Sequence, residues 1–304
     1  MRIRSITCFV HPRWPVSELV FQKAGLFARM ARQSFENAGY AVQTVRMATP
    51  PFAEFIAEQD YAQASTHIDV IAHSEGFEYV SLGPALTGAP QSYAVIPELL
   101  SRSGNLFFSG HLTTPNAEVS LSAVRACAQV IHQAATLEAN GFANLRFAAL
   151  ANVPPWAPFF PAAYHQGKSP AFALALEAAD LAVSAFTEAQ SLQDARQKLV
   201  DRIEAHARDL QTIAQRLADA YGVEFKGLDF TLAPFPQPDK SIGVALELLG
   251  LPALGLAGSL AASAFLTETL DQAVFKRSGF NGLMLPLLED ATLAARSAQG
   301  VLGV

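Results

Sequence analysis

Polar residues at the ends of apolar strands are the first place to look for chemistry, because a strand end fixes a side chain beside the crevice of an α/β sheet. Asn152 follows the apolar run 147–151 and opens a loop rich in proline and aromatic residues, Pro154 to Phe160, that leads to Tyr164 and His165. A side-chain amide that donates and accepts, near an imidazole that titrates around neutrality, suits polarisation of a carbonyl with acid–base help. The plain alternative for His165 is a loop-capping or interface histidine. His111 follows the run 106–109 and precedes Thr113 and Thr114, which places it at the same rim, either moving a proton or standing beside a helix that those threonines cap. Asp229 and Thr231 lie two apart in a strand whose other face carries Leu228, Phe230 and Leu232, so they line a polar interior or meet water. In the first case Asp229 would orient a substrate or act as base, with Thr231 binding beside it.

Two weaker ligand-binding candidates follow. Glu75 and Glu78 flank the start of another strand; Glu78 is expected in solvent, and Glu75 is the one that can face a ligand. Gly255, Gly258 and Ser259 form a glycine-rich turn, which is either a nest of N–H groups for a carboxylate or phosphate or a tight packing turn. Gly250 and Gly255 have half the spacing of a phosphate loop, but Leu256 and Ala257 stand where Lys and Ser or Thr would be required. The chain has no Gly-x-Gly-x-x-Gly after a strand, no Gly-x-Ser-x-Gly elbow, no His-Glu-x-x-His and no paired Cys-x-x-Cys. The usual dinucleotide, hydrolase and zinc assignments therefore fall away, and the residues name neither a metal nor any other cofactor. Cys8 and Cys127 read as small buried hydrophobes, and His67, His73 and His132 lie on helices without ligand spacing.

The elements that must position these residues alternate. Strands are expected at 3–10, 40–47, 77–82, 106–109, 145–151, 172–176, 223–232 and 282–287. Helices are expected at 16–38, 55–74, 97–103, 117–140, 188–221, 241–249 and 259–275, with another at the C-terminus. A Thr187–Gln190 capping box is expected to open the longest helix, and Ser259 to N-cap another. Such alternation predicts a mainly parallel α/β arrangement with helical crossovers, a barrel or a doubly wound sheet whose strand ends share one mouth. No linker divides the chain, so one α/β domain over 1–304 is expected.

Composition sets the outer limits. Of 304 residues, 51% are hydrophobic and only 16% charged, which excludes a disordered or coiled-coil protein and predicts a buried subunit interface, hence a homo-oligomer. A net charge of −6 without a Lys/Arg run removes the footprint for nucleic acid or an anionic membrane, leaving a small molecule as the expected ligand. Two cysteines suit a reducing, cytoplasmic setting. The N-terminus reads as a strand rather than a signal peptide, and the uncharged stretch 248–266 is broken by Pro252 and three glycines.

Several segments, in order, carry a resemblance: Ile3 to Thr7; Ile96-Pro97 with Ser109; Leu150 to Asn152 through Pro158-Phe159 to Tyr164-His165; Leu217 through Tyr221-Gly222 and Phe230 to Pro236; Ser241 to Leu251; Gly258-Ser259; and Pro286 to Asp290. Together these resemble the uncharacterised domain-of-unknown-function 711 family over most of the chain. The resemblance implies a fold similar to the pyruvate formate-lyase and glycyl-radical enzymes, a ten-stranded α/β barrel of two parallel half-barrels. Against longer members the chain is a short form, with Ala257 where they tend to carry His and His111 where they tend to carry Asn. Arg277 to Phe280 echoes the surroundings of a glycyl radical, but neither cysteine is expected on a facing loop, so radical chemistry is set aside. Two readings remain. One is a non-radical enzyme acting on a small carbonyl, amide or carboxylate compound at the barrel mouth; the other is a metabolite-binding or regulatory barrel in which the same groups only bind.

Overall fold

The computed structural model describes residues 1–303, and its first strand sets the two faces of the sheet. In β1 (Arg2–Phe9), Ile6 and Cys8 join the main apolar core, while Ser5, Thr7 and Phe9 point to the other face. The chain continues through α1 (Glu18–Asn37), β2 (Val42–Ala48), α2 (Tyr61–Ser74), β3 (Tyr79–Ala85), α3 (Gln91–Ala94), α4 (Ile96–Arg102), β4 (Leu106–His111), α5 (Leu121–Ala134), α6 (Phe142–Leu145) and β5 (Phe147–Leu150). After a long irregular connection come β6 (Ala171–Glu177), α7 (Ala179–Thr187), α8 (Leu192–Tyr221), β7 (Glu224–Asp229), α9 (Ile242–Glu247), α10 (Ser259–Gln272) and α11 (Ala291–Ala298).

The strand order is β5-β4-β3-β2-β1-β6-β7. Strands β1 to β5 pair in parallel, so their carboxyl ends share one rim; β6 runs antiparallel to β1, and β7 follows β6. Two expectations are corrected here. Among the described residues the sheet has seven strands and is open, ending at β5 and β7, the latter carrying a single parallel bridge from Leu228 to Arg277, rather than ten strands closed into a barrel. Residues 282–287, apolar enough to suggest a strand, form no ladder. The sheet is mainly parallel, as expected, with one reversal between β1 and β6. The connection from β5 to β6 has no helix to carry the chain back to the far end, so β6 starts at the rim where β5 finished and runs in reverse.

One face of the sheet meets the helices. Met47, Val80, Leu82, Phe108, Phe172 and Leu174 pack in one core with Phe27 and Phe35 of α1, Ile68 of α2, Leu99 of α4 and the α8 stripe of Leu199, Ile203, Leu210 and Leu217. Helix α8 begins at Leu192, four residues later than the sequence suggests. Thr187 ends α7, and the Ser191 hydroxyl accepts from Asp194 N at 3.2 Å to open α8. Ser120, not Thr113 or Thr114, likewise caps α5. Among the described residues no helix is long and apolar enough to cross a membrane; the stretch 248–266 is a turn followed by the start of α10.

The other face is built from small and polar side chains and is covered by the loop 153–166. Phe9, Ala48, Ala171 and Ala173 pack with Ala163, Trp156 and Phe160 of the loop. The Thr7 and Ser5 hydroxyls donate to the Pro158 carbonyl at 2.7 and 3.3 Å, and Ser81 donates to the Ala163 carbonyl at 2.7 Å. Alanines let the backbone approach, and the hydroxyls satisfy carbonyls that no ladder reaches. Within the loop, Trp156 N donates to Tyr164 O at 2.9 Å, which turns the chain back toward the rim.

Farther along, Asp290 joins two helix starts. Its carboxylate accepts from Ser241 Oγ, Ile242 N and Gly243 N at α9, and from Thr292 N and Leu293 N at α11. Replacing Asp290 with Ala is expected to cost about 2–4 kcal/mol in urea unfolding, since two caps go at once in a buried place. Thr7→Val is expected to cost about 1–2 kcal/mol by leaving the Pro158 carbonyl to the longer Ser5 bond. A loss below a few tenths of a kcal/mol in the second variant would contradict the docking of the loop.

Candidate functional site

The carboxyl ends of β2 to β5 frame a cavity of about 830 Å3. Glu54 enters from the turn after β2, Thr87 and Gly88 from the turn after β3, His111 and Thr113 from the end of β4, and Asn152 from the residue pair after β5. The covering loop then delivers Tyr164 and His165 to the same space. Asn152, His111 and His165, singled out on separate strand ends and a loop, are thus brought together.

His165 is 1% exposed, its ring stacks on Phe9 with centroids 6.3 Å apart, and its backbone N–H donates to Thr49 O at 3.0 Å. Neither ring nitrogen has a hydrogen-bond partner among the described residues. Burial, then the charges of His11 and Lys226, push its pKa down to about 4, so the ring is neutral at pH 7. Burial lowers His111 as well; its ring meets Tyr164 edge-on at 5.5 Å, and its carbonyl accepts from Tyr93 Oη at 2.7 Å. Tyr164 donates to Val153 O at 2.8 Å, and burial with the Glu54 charge nearby raises its phenol to about 12. Glu54 sits at the opening, and desolvation moves its carboxyl upward. Asn152 is exposed with φ +55, a left-handed conformation that Asn accepts more readily than most residues. The set can do acid–base work: two neutral imidazoles, an amide and a carboxyl around one cavity.

The other sequence candidates lie elsewhere. Because β7 runs against β1 to β5, Asp229 is carried away from this rim. There its carboxylate accepts from Phe280 N at 2.8 Å, Asn281 N at 3.1 Å and the Thr231 hydroxyl, while Asn281 Oδ1 accepts from Phe230 N at 2.9 Å. Burial raises the Asp229 carboxyl, and these bonds oppose the rise. Asp229 and Thr231 hold the 278–281 loop instead of lining the cavity. Gly279, at φ +79, packs so close to Asp229 and Pro158 that a Cβ would collide with the carboxylate.

Glu75 ends α2 at the amino end of β3, packs against Gly25 and faces Arg29 at 3.7 Å. Glu78, expected in solvent, pairs with Arg32 at 2.6 Å and accepts from Val45 N at 2.7 Å. Ser259 is the first residue of α10 instead of its cap. Its hydroxyl accepts from Gly255 N at 2.9 Å and donates to Leu256 O at 2.7 Å, so with Gly258 it closes a packing turn. Cys8 and Cys127 are buried and unpaired, and burial raises both thiols. Among the described residues no three His, Cys, Asp or Glu are grouped to hold a metal ion. Glu54 is the site residue that reading the sequence passed over. Its signal was the Pro50-Pro51 break, which marks the end of β2 as surely as Asn152 marks the end of β5.

A family model described as an uncharacterised ACR, DUF711, matches residues 1–304. A UPF0210 protein of Pyrobaculum islandicum is 27% identical over 290 residues, 87% of this chain and 62% of the relative. One from Pyrobaculum arsenaticum is 28% identical over 301 residues, 91% of the chain and 65% of the relative, and one from Acetivibrio thermocellus 27% over 288 residues, 88% and 63%. The chain therefore spans less than two thirds of the length of these curated relatives.

The state of His165 has a measurable consequence. An unfolded histidine takes its proton near pH 6.5, the folded one near 4, so stability present above pH 6.5 is lost as the pH falls from about 6.5 to about 4, by about 3 kcal/mol for this group. Urea unfolding across that range should show a shallower decline in His165→Gln than in the unsubstituted protein. Equal slopes would contradict a buried neutral imidazole.

Proposed function

Because the chain belongs to the uncharacterised DUF711 family, whose model covers residues 1–304, we propose a function from its own geometry: a non-radical enzyme acting on a small carbonyl, amide or carboxylate compound in the cavity at the carboxyl ends of β2 to β5. The observation that carries this reading is His165, buried with both ring nitrogens unpartnered against a cavity that His111, Asn152 and Glu54 also line. Buried polar atoms are nearly always satisfied, and exceptions gather at sites of chemistry. In this reading the Asn152 amide hydrogen-bonds the substrate oxygen and polarises it. A neutral imidazole, His165 or His111, accepts a proton from the substrate or from a water that attacks it and, as imidazolium, returns that proton to the leaving atom, beside the Glu54 carboxylate. Thr113 binds beside them.

The second reading is a metabolite-binding protein without turnover. It is favoured by the low exposure of His165, which suits a ligand held closed better than one exchanged each cycle.

Three wider points belong to the same proposal. Five parallel strands followed by two reversed ones suit an open version of the two-half-barrel arrangement that the family resemblance implied. Exposed Leu260, Val274, Phe280 and Leu288 supply apolar surface for a homo-oligomer. Two buried, unpaired thiols suit a cytoplasmic setting.

The test is native mass spectrometry of the purified protein, to identify a retained small molecule, followed by turnover of that molecule. His165→Ala and His111→Ala are expected to lower the rate about 100-fold or more. Retained binding with no conversion by the unsubstituted protein selects the second reading, and unchanged rates in both variants reject the site.

A further inference from the structure

A second and larger cavity, about 1030 Å3, opens at the carboxyl end of β1 on the helix-covered side, between α1, the end of α8 and residues 168–171. The acid–base site does not use it, although Glu54 borders both. Its walls are aromatic and apolar: Phe27, Phe55, Trp14, Tyr221 and Val10. They are held in place, since Trp14 Nε1 donates to Asp60 at 3.1 Å and the His11 ring lies against Phe55 at 5.5 Å.

The charges around this cavity are one-sided. His11, Arg13, Lys23 and Lys168 line it, against the single carboxylate of Glu54. Arg13, Lys23 and Lys168 take part in no ion pair among the described residues. Burial lowers the His11 pKa, and the charges of Arg13 and Lys168, which line the same cavity, lower it further. The Arg13 backbone is left-handed at φ +62, an unfavourable state for a residue with a long side chain, and its N–H donates to His11 Nδ1 at 3.3 Å. That bond leaves Nε2 as the imidazole nitrogen for a ligand. A protein of net charge −6 thus gathers three unpaired cations and a histidine around one cavity. Mutual repulsion there is relieved by an anion.

We propose that this cavity is a binding site for an aromatic organic anion, its flat body between Phe27, Phe55 and Trp14 and its carboxylate, sulfonate or phosphate group among Arg13, Lys23, Lys168 and His11. The proposal is independent of the acid–base reading. Its test uses no residue of that site and measures no turnover.

The probe is 8-anilinonaphthalene-1-sulfonate, an aromatic sulfonate, titrated by fluorescence into the full chain, with neutral N-phenyl-1-naphthylamine as the uncharged control. One sulfonate site per chain is expected. The double variant Lys23→Glu, Lys168→Glu should weaken the sulfonate at least tenfold and move the neutral dye less than twofold; both lysines are exposed, so the fold is unaffected. Ala24→Trp, which fills the cavity from α1, should abolish binding of both dyes. The proposal is overturned if the sulfonate does not bind, if the charge reversals leave its affinity within twofold or weaken both dyes equally, or if both dyes still bind the Ala24→Trp protein.

Discussion

The contact on which the rest depends is between three hydroxyls and two carbonyls. Ser5, Thr7 and Ser81 reach from the sheet to Pro158 O and Ala163 O of a loop that has no secondary structure of its own. Backbone carbonyls taken out of water need partners, and a sheet face of leucines and valines would offer none. The sequence of β6, with Ala171, Ala173 and Ala175 alternating with Phe172, Leu174 and Leu176, separates the face that carries the helices from the face that admits a backbone. The loop can therefore lie flat on the sheet, turn at the Trp156–Tyr164 bond and return His165 to the rim it left.

That excursion also accounts for the reversal of the last two strands. A crossover helix would have taken the chain back to the amino end and given β6 the direction of β1; a loop that comes home to the same rim gives the opposite one. Asp229 is displaced as a result. A buried carboxylate far from the rim became the acceptor for two backbone N–H groups and a hydroxyl, a task for which its geometry is complete. Gly279 fits beside it because it has no side chain.

Much of this was legible in the residues. Alternation of apolar strands and helices located all five parallel strands, and the rule that strand ends carry the site put His111 and Asn152 on one rim, with His165 returned to it. Local pattern could not give direction: the stretch 153–161 reads as a connection whether it crosses the sheet or turns back. For the same reason the two-residue spacing of Asp229 and Thr231 gave their face but not their end of the sheet. Capping failed where two signals competed, since Thr187 and Ser191 both suit a helix start and only the break between α7 and α8 decides for Ser191. Residues 282–287 are apolar yet unpaired, because strand propensity needs a neighbouring edge that this segment does not meet.

Amide hydrogen exchange across residues 154–166 tests the docking of the loop most directly. The account predicts that Trp156 N–H, bonded to Tyr164 O, and His165 N–H, bonded to Thr49 O, exchange as slowly as the amides of β1 and β2. Exchange of both at the rate of an open surface loop would contradict it, and with it the fixed position of His165 at the rim.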